Sequence, residues 1–284
     1  MPRIRVSADR RRFVRDDENG VSRDFFLMCD TFWSALYNPT DAEWEAYLRY
    51  RKMQGYNAVQ FNALHQWDSG APDTGLMPFA VKPDGSFDFR SYNEEYFSRA
   101  ERMAKTAYGM GIIPVVVVLH CSYVKGTWAT KDHPEWVMPL ELVKPFARKV
   151  ARLFMRYDPM YIISGDTNFP GPETNDYFMA ALEGVKGEDP EGLCTFHMSP
   201  DSRLPEVFVS SGMTDFYCLQ PGQGVQDTKN LYKLVNEYYN SPVTRPVLND
   251  EFTYEGGSYT GDAYGRWNAF DQRKGIWQSL LAGS

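Results

Sequence analysis

The chain has 284 residues, of which 15% are aromatic, and its formal net charge is −7 at pH 7. This length suits one α/β barrel, which needs roughly 250 residues. The negative charge argues against nucleic acid as a partner, because proteins that bind it carry basic patches that neutralise phosphates. The longest apolar run covers residues 112–119 and is too short to cross a bilayer, so no membrane partner is expected.

The N-terminus and the cysteines indicate a location. The Arg-rich start of the chain is not followed by an apolar segment, so it does not match a secretory signal. The four cysteines are isolated in the sequence and form no disulfide or metal-binding pattern. We therefore expect a cytoplasmic protein whose thiols are mostly buried and free.

Strand and helix patterns alternate along the chain after a polar N-terminal segment, residues 1–23, which is expected to form a short hairpin at the bottom of the fold. Predicted strands cover residues 25–29, 58–61, 112–119, 160–165, 193–197, 216–220 and 245–250. Predicted helices cover residues 41–54, 94–108, 140–157, 175–185, 204–209, 228–239 and 269–281. The first helix has a clear start, because Thr40 and Glu43 match a capping box, and a clear stop at Gly55.

This alternation predicts an α/β fold, a TIM (β/α)8 barrel that lacks an eighth strand evident in the sequence. Residues 1–284 are expected to form one catalytic barrel domain. The N-terminal hairpin, a partner chain or truncation of a longer protein could each account for the gap, and truncation is favoured. Two long connections, residues 65–92 and 120–136, are expected to be functional loops, since structureless connections of this length are uncommon in compact domains.

Hydrogen-bonding and aromatic side chains follow the carboxyl end of every predicted strand. In a TIM barrel these ends form the active-site face. A sugar needs such a set, because its hydroxyl groups donate and accept hydrogen bonds and its ring stacks on aromatic planes. The candidate substrate-binding residues are Asp30, Trp33, His65, Trp67, His120, Asn168, His197, Gln220 and Tyr254.

Two carboxylates at strand ends, Asp166 and Glu251, define the candidate reaction. A pair of Asp or Glu residues is the machinery of glycoside hydrolysis, in which one carboxylic acid protonates the leaving oxygen and the other carboxylate attacks or activates water. Strand alternation predicts that Asp250 points away from the side that Glu251 faces. Gly165 is expected to allow a tight turn before Asp166. A loop cap for Asp166 and an ion pair with an arginine for Glu251 are the structural alternatives.

Several segments resemble, in their order along the chain, the motifs of apiosidase-like glycoside hydrolases (family 140 and its uncharacterised relatives). The matching segments are residues 24–33, 162–168, 195–197, 245–251 with 254–255, and 273–283. The resemblance implies a TIM barrel with Asp166 as the acid/base and Glu251 as the nucleophile. The chain departs from the family pattern at Cys29, Ser164 and Asp250, where the family has glycine.

The leading hypothesis is therefore a retaining glycoside hydrolase that needs no cofactor and acts on a plant or microbial glycan. A non-catalytic carbohydrate-binding barrel or a truncated remnant is the alternative. A metal-dependent enzyme that uses His65, His120 and His197 is a third hypothesis, although no H-x-H or H-E-x-x-H motif accompanies these residues and no metal site is expected.

Overall fold

The structure is a computed structural model that describes residues 2–66, 74–131, 133–200, 202–221, 230–257 and 266–284. A three-stranded antiparallel sheet forms the N-terminal part, with β1 (Arg5–Val6), β2 (Phe13–Asp16) and β3 (Ser22–Phe25) in that order. The expected hairpin over residues 1–23 is therefore wrong in extent. Phe25 pairs with Phe13 inside this sheet, so the first barrel strand begins later than the sequence predicts.

The remaining helices and strands are, in chain order, β4 (Cys29–Thr31), α1 (Asp41–Met53), β5 (Ala58–Asn62), β6 (Phe79–Val81), β7 (Phe87–Tyr92), α2 (Glu94–Gly109), β8 (Ile113–His120), α3 (Leu140–Phe154), β9 (Met160–Gly165), α4 (Pro172–Glu188), β10 (Leu193–Thr195), α5 (Glu206–Val209), β11 (Tyr217–Leu219), α6 (Asn230–Tyr239), β12 (Val247–Asn249) and α7 (Ala269–Ala282). None of the described helices is long and apolar enough to cross a membrane.

Parallel strands build the barrel. Five of them pair in the order β10-β9-β8-β5-β4, and β11 pairs with β12. The two groups are joined at β10 and β11, where Thr195 Oγ1 donates to the carbonyl of Phe216 (2.6 Å) and the amide of Asp215 donates to the carbonyl of Cys194 (2.8 Å). Seven parallel strands thus surround one interior, which confirms the predicted TIM-barrel class.

The barrel interior and the helix layer are two separate apolar clusters, and β8 contributes to both. All eight residues of this strand are buried. Ile113, Val115 and Val117 face the interior together with Ile4 and Phe13 of the N-terminal sheet, which packs on the amino-terminal ends of the strands. The alternate residues pack under the helices. A continuous run of branched apolar residues is what a strand buried on both faces requires.

The local signals in the sequence are confirmed at α1. Thr40 accepts from the amide of Glu43, and the carboxylate of Glu43 accepts from the amide of Thr40, so both halves of the capping box form. Gly55 follows the helix with φ +93°, a left-handed conformation that glycine adopts without steric cost.

The long connections are more ordered than the sequence predicts. The segment between residues 65 and 92 contains a β6–β7 hairpin, whose Phe79 ring packs against Phe87 and Phe89 at 5.9 and 5.0 Å between centroids. The connection over residues 120–136 consists of three short 3-10 turns. The sequence predicts two long loops but not these strands and turns, which aromatic residues stabilise through local clusters.

Within the described residues, no strand pairs with the outer edge of β4 or β12. A cavity of about 510 Å³ lies along this open seam. Its lining includes Phe13 of the N-terminal sheet, Cys29 of β4, Leu248 of β12, and Glu251 beyond the carboxyl end of β12. The amide of Asn249, on the edge of β12, donates to Ser284 Oγ at 2.8 Å.

We predict that Gly184→Ala destabilises the contact between α3 and α4. A Cβ at Gly184 would lie 2.8 Å from Ala147 Cβ and 2.8 Å from the carbonyl oxygen of Lys144, so a backbone must shift, at a cost of about 1–3 kcal/mol. Urea unfolding measures this change. Gly187 on the same helix is the matched control, since a Cβ there meets nothing within 4 Å, and Gly187→Ala should stabilise by about 0.5–1 kcal/mol. Equal effects of the two substitutions would contradict the close helix packing.

Candidate active site

Asp166 lies directly after β9 and has φ +48°, a left-handed backbone that non-glycine residues seldom adopt. The indole N–H of Trp128 donates to its carbonyl oxygen at 2.8 Å and fixes this turn. Asn168, two residues on, is exposed. Asp166 and Asn168 therefore follow the carboxyl end of a central strand, as the sequence predicted.

Gly165 has a different role from the expected one. The left-handed residue of this turn is Asp166, and Gly165 itself has no positive φ. A Cβ at Gly165 would lie 2.6 Å from His120 Cδ2 and 3.3 Å from His120 Cα. Glycine is needed here because β8 approaches closely at His120, and the expectation of a glycine turn is wrong.

Glu251 lies two residues after the end of β12, and its carboxylate is surrounded by polar partners. Gln220 Nε2 donates to Oε1 at 2.9 Å, His197 Nε2 lies 3.3 Å from Oε2, and the Tyr254 hydroxyl donates to the same carboxylate. Burial opposes the ionisation of Glu251, but these partners, His197 foremost, outweigh it and lower the pKa of Glu251 below its ordinary value.

His197 connects two carboxylates. Its Nδ1 lies 2.7 Å from Asp250 Oδ2 and its Nε2 faces Glu251, while its side chain is only 1% exposed. Burial alone would lower the pKa of His197, yet the charge of Asp250 and the contacts with both carboxylates raise it well above its usual value. The imidazole is therefore held as an imidazolium whose Nδ1 hydrogen-bonds Asp250 and whose Nε2 forms an ion pair with Glu251.

The prediction that Asp250 points away from the site is wrong. Its carboxylate is 6% exposed, contacts His197 and accepts from the Cys218 thiol in the barrel interior. Alternation fails because β12 ends at Asn249, so residues 250 and 251 no longer follow the pleat of a strand. The adjacent acidic pair at a strand end was the signal in the sequence that should have kept both residues as candidates.

Trp33 and Tyr254 complete the surroundings of Glu251. The Trp33 and His197 rings form a T-shaped pair with 5.6 Å between centroids and an interplanar angle of 81°, and the Trp33 indole donates to the Tyr254 hydroxyl. Tyr254 is 43% exposed. The sequence-predicted residues Trp33, His197, Gln220 and Tyr254 are thus all gathered around Glu251.

Two other predicted histidines lie elsewhere. His120 accepts from the amide of Ser122 and caps a 3-10 turn, and burial together with the charge of His197 lowers the pKa of His120 to about 3. His65 packs between Tyr37 and Trp136, at 4.6 and 5.4 Å between ring centroids. Within the part of the chain that the structure describes, no group of three or more His, Cys, Asp or Glu side chains could hold a metal ion.

Asp30 is bound by side chains of α1. Its carboxylate forms an ion pair with Arg51, with Nε 2.6 Å from Oδ2, and accepts a hydrogen bond from the Tyr47 hydroxyl at 2.5 Å, and both partners are on α1. Asp30 therefore anchors this helix to β4, unlike the substrate contact that the sequence suggested. Trp67, also predicted to bind substrate, lies outside the described residues.

A family model described as "Apiosidase-like, catalytic domain" matches residues 7–284. No curated protein matches the chain. Among solved structures, a glycoside hydrolase family 5 protein from Bacteroides vulgatus is 21% identical with a TM-score of 0.78, covering 99% of this chain and 60% of its own. A protein titled "Glycoside hydrolase" is 20% identical with a TM-score of 0.79, covering 100% and 64%.

An exo-β-1,4-mannosidase from an Opitutaceae bacterium is more distant, at 14% identity and a TM-score of 0.58, covering 98% of this chain and 53% of its own. The chain spans less than two thirds of the length of these three proteins. At these identities the likeness establishes the shared barrel fold.

We predict that Asp30→Ala lowers the free energy of unfolding by about 2 kcal/mol, since it removes charge-assisted hydrogen bonds between β4 and α1. Urea unfolding tests this, with Glu45→Ala as the control. Glu45 pairs with Arg49 on the same helix with side chains 48% and 69% exposed, so its loss should cost less than about 0.5 kcal/mol. If Asp30→Ala left the stability unchanged but weakened sugar binding, Asp30 would be a substrate contact and its structural role would be wrong.

Proposed function

This chain belongs to the apiosidase-like family of catalytic domains, and we propose that it is an O-glycosyl hydrolase that cleaves a glycosidic bond in a plant or microbial glycan. Several structural neighbours carry glycosidase names, including an exo-β-1,4-mannosidase, which favours a carbohydrate substrate. On this proposal residues 1–284 act as one barrel domain.

The observation that carries the proposal is the state of Glu251. A carboxylate that is 11% exposed would ordinarily take up a proton. Here His197, Tyr254 and Gln220 lower its pKa, so Glu251 is ionised at neutral pH. A buried, ionised carboxylate at the carboxyl end of a barrel strand is suited to attack an anomeric carbon, and we assign Glu251 as the nucleophile.

Asp166 is assigned as the acid/base. It follows the carboxyl end of β9 and is half-buried, and its φ of +48° is a conformation that costs free energy in non-glycine residues and is concentrated at functional sites. The Trp128 indole holds its carbonyl oxygen. This hydrogen bond stabilises the left-handed backbone that sets the direction of the Asp166 side chain.

The proposed reaction is a double displacement. Glu251 attacks the anomeric carbon while Asp166 gives its proton to the leaving oxygen, and a covalent glycosyl-enzyme forms. Asp166, now a carboxylate, takes a proton from water, the hydroxide attacks the anomeric carbon, and Glu251 departs as a carboxylate. The anomeric configuration is therefore retained, and no cofactor takes part.

Substrate contacts are proposed for Trp33, Asn168, Gln220 and Tyr254. Trp33 and Tyr254 offer aromatic surface beside Glu251, and exposed Asn168 follows Asp166 in the same turn. His65 and His120 have their rings buried in the fold, so we do not assign them to the sugar.

We predict that Glu251→Gln and Asp166→Asn each reduce kcat by about 10²–10⁴-fold with the fold intact. Turnover is measured with a panel of nitrophenyl glycosides and with plant polysaccharides, and the anomer of the first-formed sugar is assigned by NMR. Azide should restore turnover of Glu251→Ala with a glycosyl azide as the product.

Glu255→Gln is the matched control for Glu251→Gln, and Asp176→Asn, on α4, is the matched control for Asp166→Asn. Both control carboxylates are exposed and close in sequence to the residue they are matched with. They should retain turnover. Near-wild-type turnover of Glu251→Gln or Asp166→Asn would overturn the assignment, and an inverted product would overturn the nucleophilic role of Glu251.

A further inference from the structure

We propose that Asp250 and His197 are positioning residues for Glu251, forming a relay in which Asp250 orients and charges the imidazole and the imidazole keeps Glu251 ionised and aimed. This inference rests on the proposed role of Glu251 as the nucleophile.

The geometry of the relay is one ring between two carboxylates. Asp250 Oδ2 lies 2.7 Å from Nδ1 and Glu251 Oε2 lies 3.3 Å from Nε2. Because the two nitrogens lie on opposite sides of the ring, contact with Asp250 sets the direction in which Nε2 points. Asp250 therefore holds Nε2 of His197 within ion-pair distance of Glu251.

The ring has little freedom to leave this arrangement. Ser164 Oγ donates to the His197 carbonyl at 3.0 Å, which ties the backbone of His197 to β9. The Trp33 ring packs against the imidazole in a T-shaped pair with 5.6 Å between centroids. Both contacts hold the imidazole in place without using its nitrogens.

Charge explains why a cation is needed at this position. Asp250 and Glu251 are consecutive, and their side chains are 6% and 11% exposed. Two carboxylates buried so close together repel, and one would take up a proton unless a cation lies between them. A protonated Glu251 cannot attack the anomeric carbon, so His197 keeps the nucleophile reactive.

The second carboxylate decides where the proton resides. In a buried pair of one histidine and one glutamate, transfer of the proton to Glu251 would give two neutral groups and relieve the cost of burying charge. Asp250 opposes this transfer because it stabilises the imidazolium from the far side of the ring, as the aspartate of a Ser-His-Asp triad does. Without Asp250 the proton can move to Glu251.

Four described neighbours of the relay, His120, Cys29, Cys218 and Tyr254, are neutral at pH 7. The pKa of His120 is lowered to about 3 by burial and the charge of His197. Burial raises the pKa of the Cys29 and Cys218 thiols, both near Asp250, and burial with the charge of Glu251 raises that of Tyr254. None of these four groups changes charge near pH 7, so they add nothing to a titration of the relay there.

The first test is NMR of the histidine side chains in the full chain, which has four histidines. The His197 signals are assigned by their loss in His197→Gln, and ¹⁵N shifts distinguish an imidazolium from either neutral tautomer. We expect His197 to carry both protons at pH 7 in the wild type and to lose one at lower pH in Asp250→Asn. A neutral His197 in the wild type, or an unchanged titration in Asp250→Asn, would overturn the relay.

The second test is a kinetic cycle. His197→Gln should lower kcat by about 100-fold with a smaller change in KM, and the acidic limb of the kcat/KM profile should move up by about one pH unit, because Glu251 loses its cation. Asp250→Asn should shift kcat and this limb in the same directions. The double variant should be no worse than His197→Gln, since Asp250 acts only through His197. His133→Gln, in the loop before α3, is the control and should match the wild type.

The possible results distinguish a failure of the proposed function from a failure of the relay. Active Glu251→Gln would refute the proposed function. Inactive Glu251→Gln together with a normal kcat and acidic limb in His197→Gln would refute the relay alone. Additive losses in the double variant would also refute it, because they would show that Asp250 acts independently. If His197→Gln does not fold, the titration and pH profile of the near-isosteric Asp250→Asn decide.

Discussion

The parallel direction of the barrel strands is the constraint on which the site depends. Because β5, β8, β9 and β10 pair in parallel, and β11 pairs in parallel with β12, all their carboxyl ends lie on one side of the molecule. Asp166, His197, Gln220 and Glu251 are far apart in the sequence and follow four different strands. No local structure could place them at the same end of the barrel, and the paired backbones do so while the branched apolar residues of the strands fill the space below.

Burying Asp250, His197 and Glu251 together costs desolvation free energy, and the ion pairs of His197 with the two carboxylates offset that cost. Two carboxylates and an imidazolium are nearly removed from water around His197, where unpaired charges are strongly destabilising. The arrangement leaves a net charge of −1 shared by three residues, which hydrogen bonds from Gln220 and Tyr254 further stabilise. Asp30 and Arg51 are also partly buried charges that form an ion pair, and this pair stabilises the contact between β4 and α1.

The sequence predicted those features of the fold that depend on hydrophobic periodicity and on interactions between residues close in the chain. The capping box at Thr40, the doubly buried β8 and the class of barrel all follow from such patterns. It failed where a neighbour distant in sequence decides the outcome. Phe25 joins an N-terminal sheet because Phe13 is there to pair with it, Gly165 is needed because His120 lies against it, and Asp250 turns inward because β12 has already ended. Direction of a strand-end side chain is a tertiary property, and no pattern in the local residues encodes it.

The open seam divides the barrel into parts with different resistance to local unfolding. β9, which precedes Asp166, is paired on both sides, whereas β12, which precedes Glu251, is paired among the described residues only with β11. Amide hydrogens of β9 should therefore exchange with solvent only through openings near the global unfolding free energy, and those of β12 through smaller ones. Asp166 would then belong to the slowest-exchanging unit of the protein and Glu251 to a faster one, so that a partial opening separates the two carboxylates while most of the barrel stays folded.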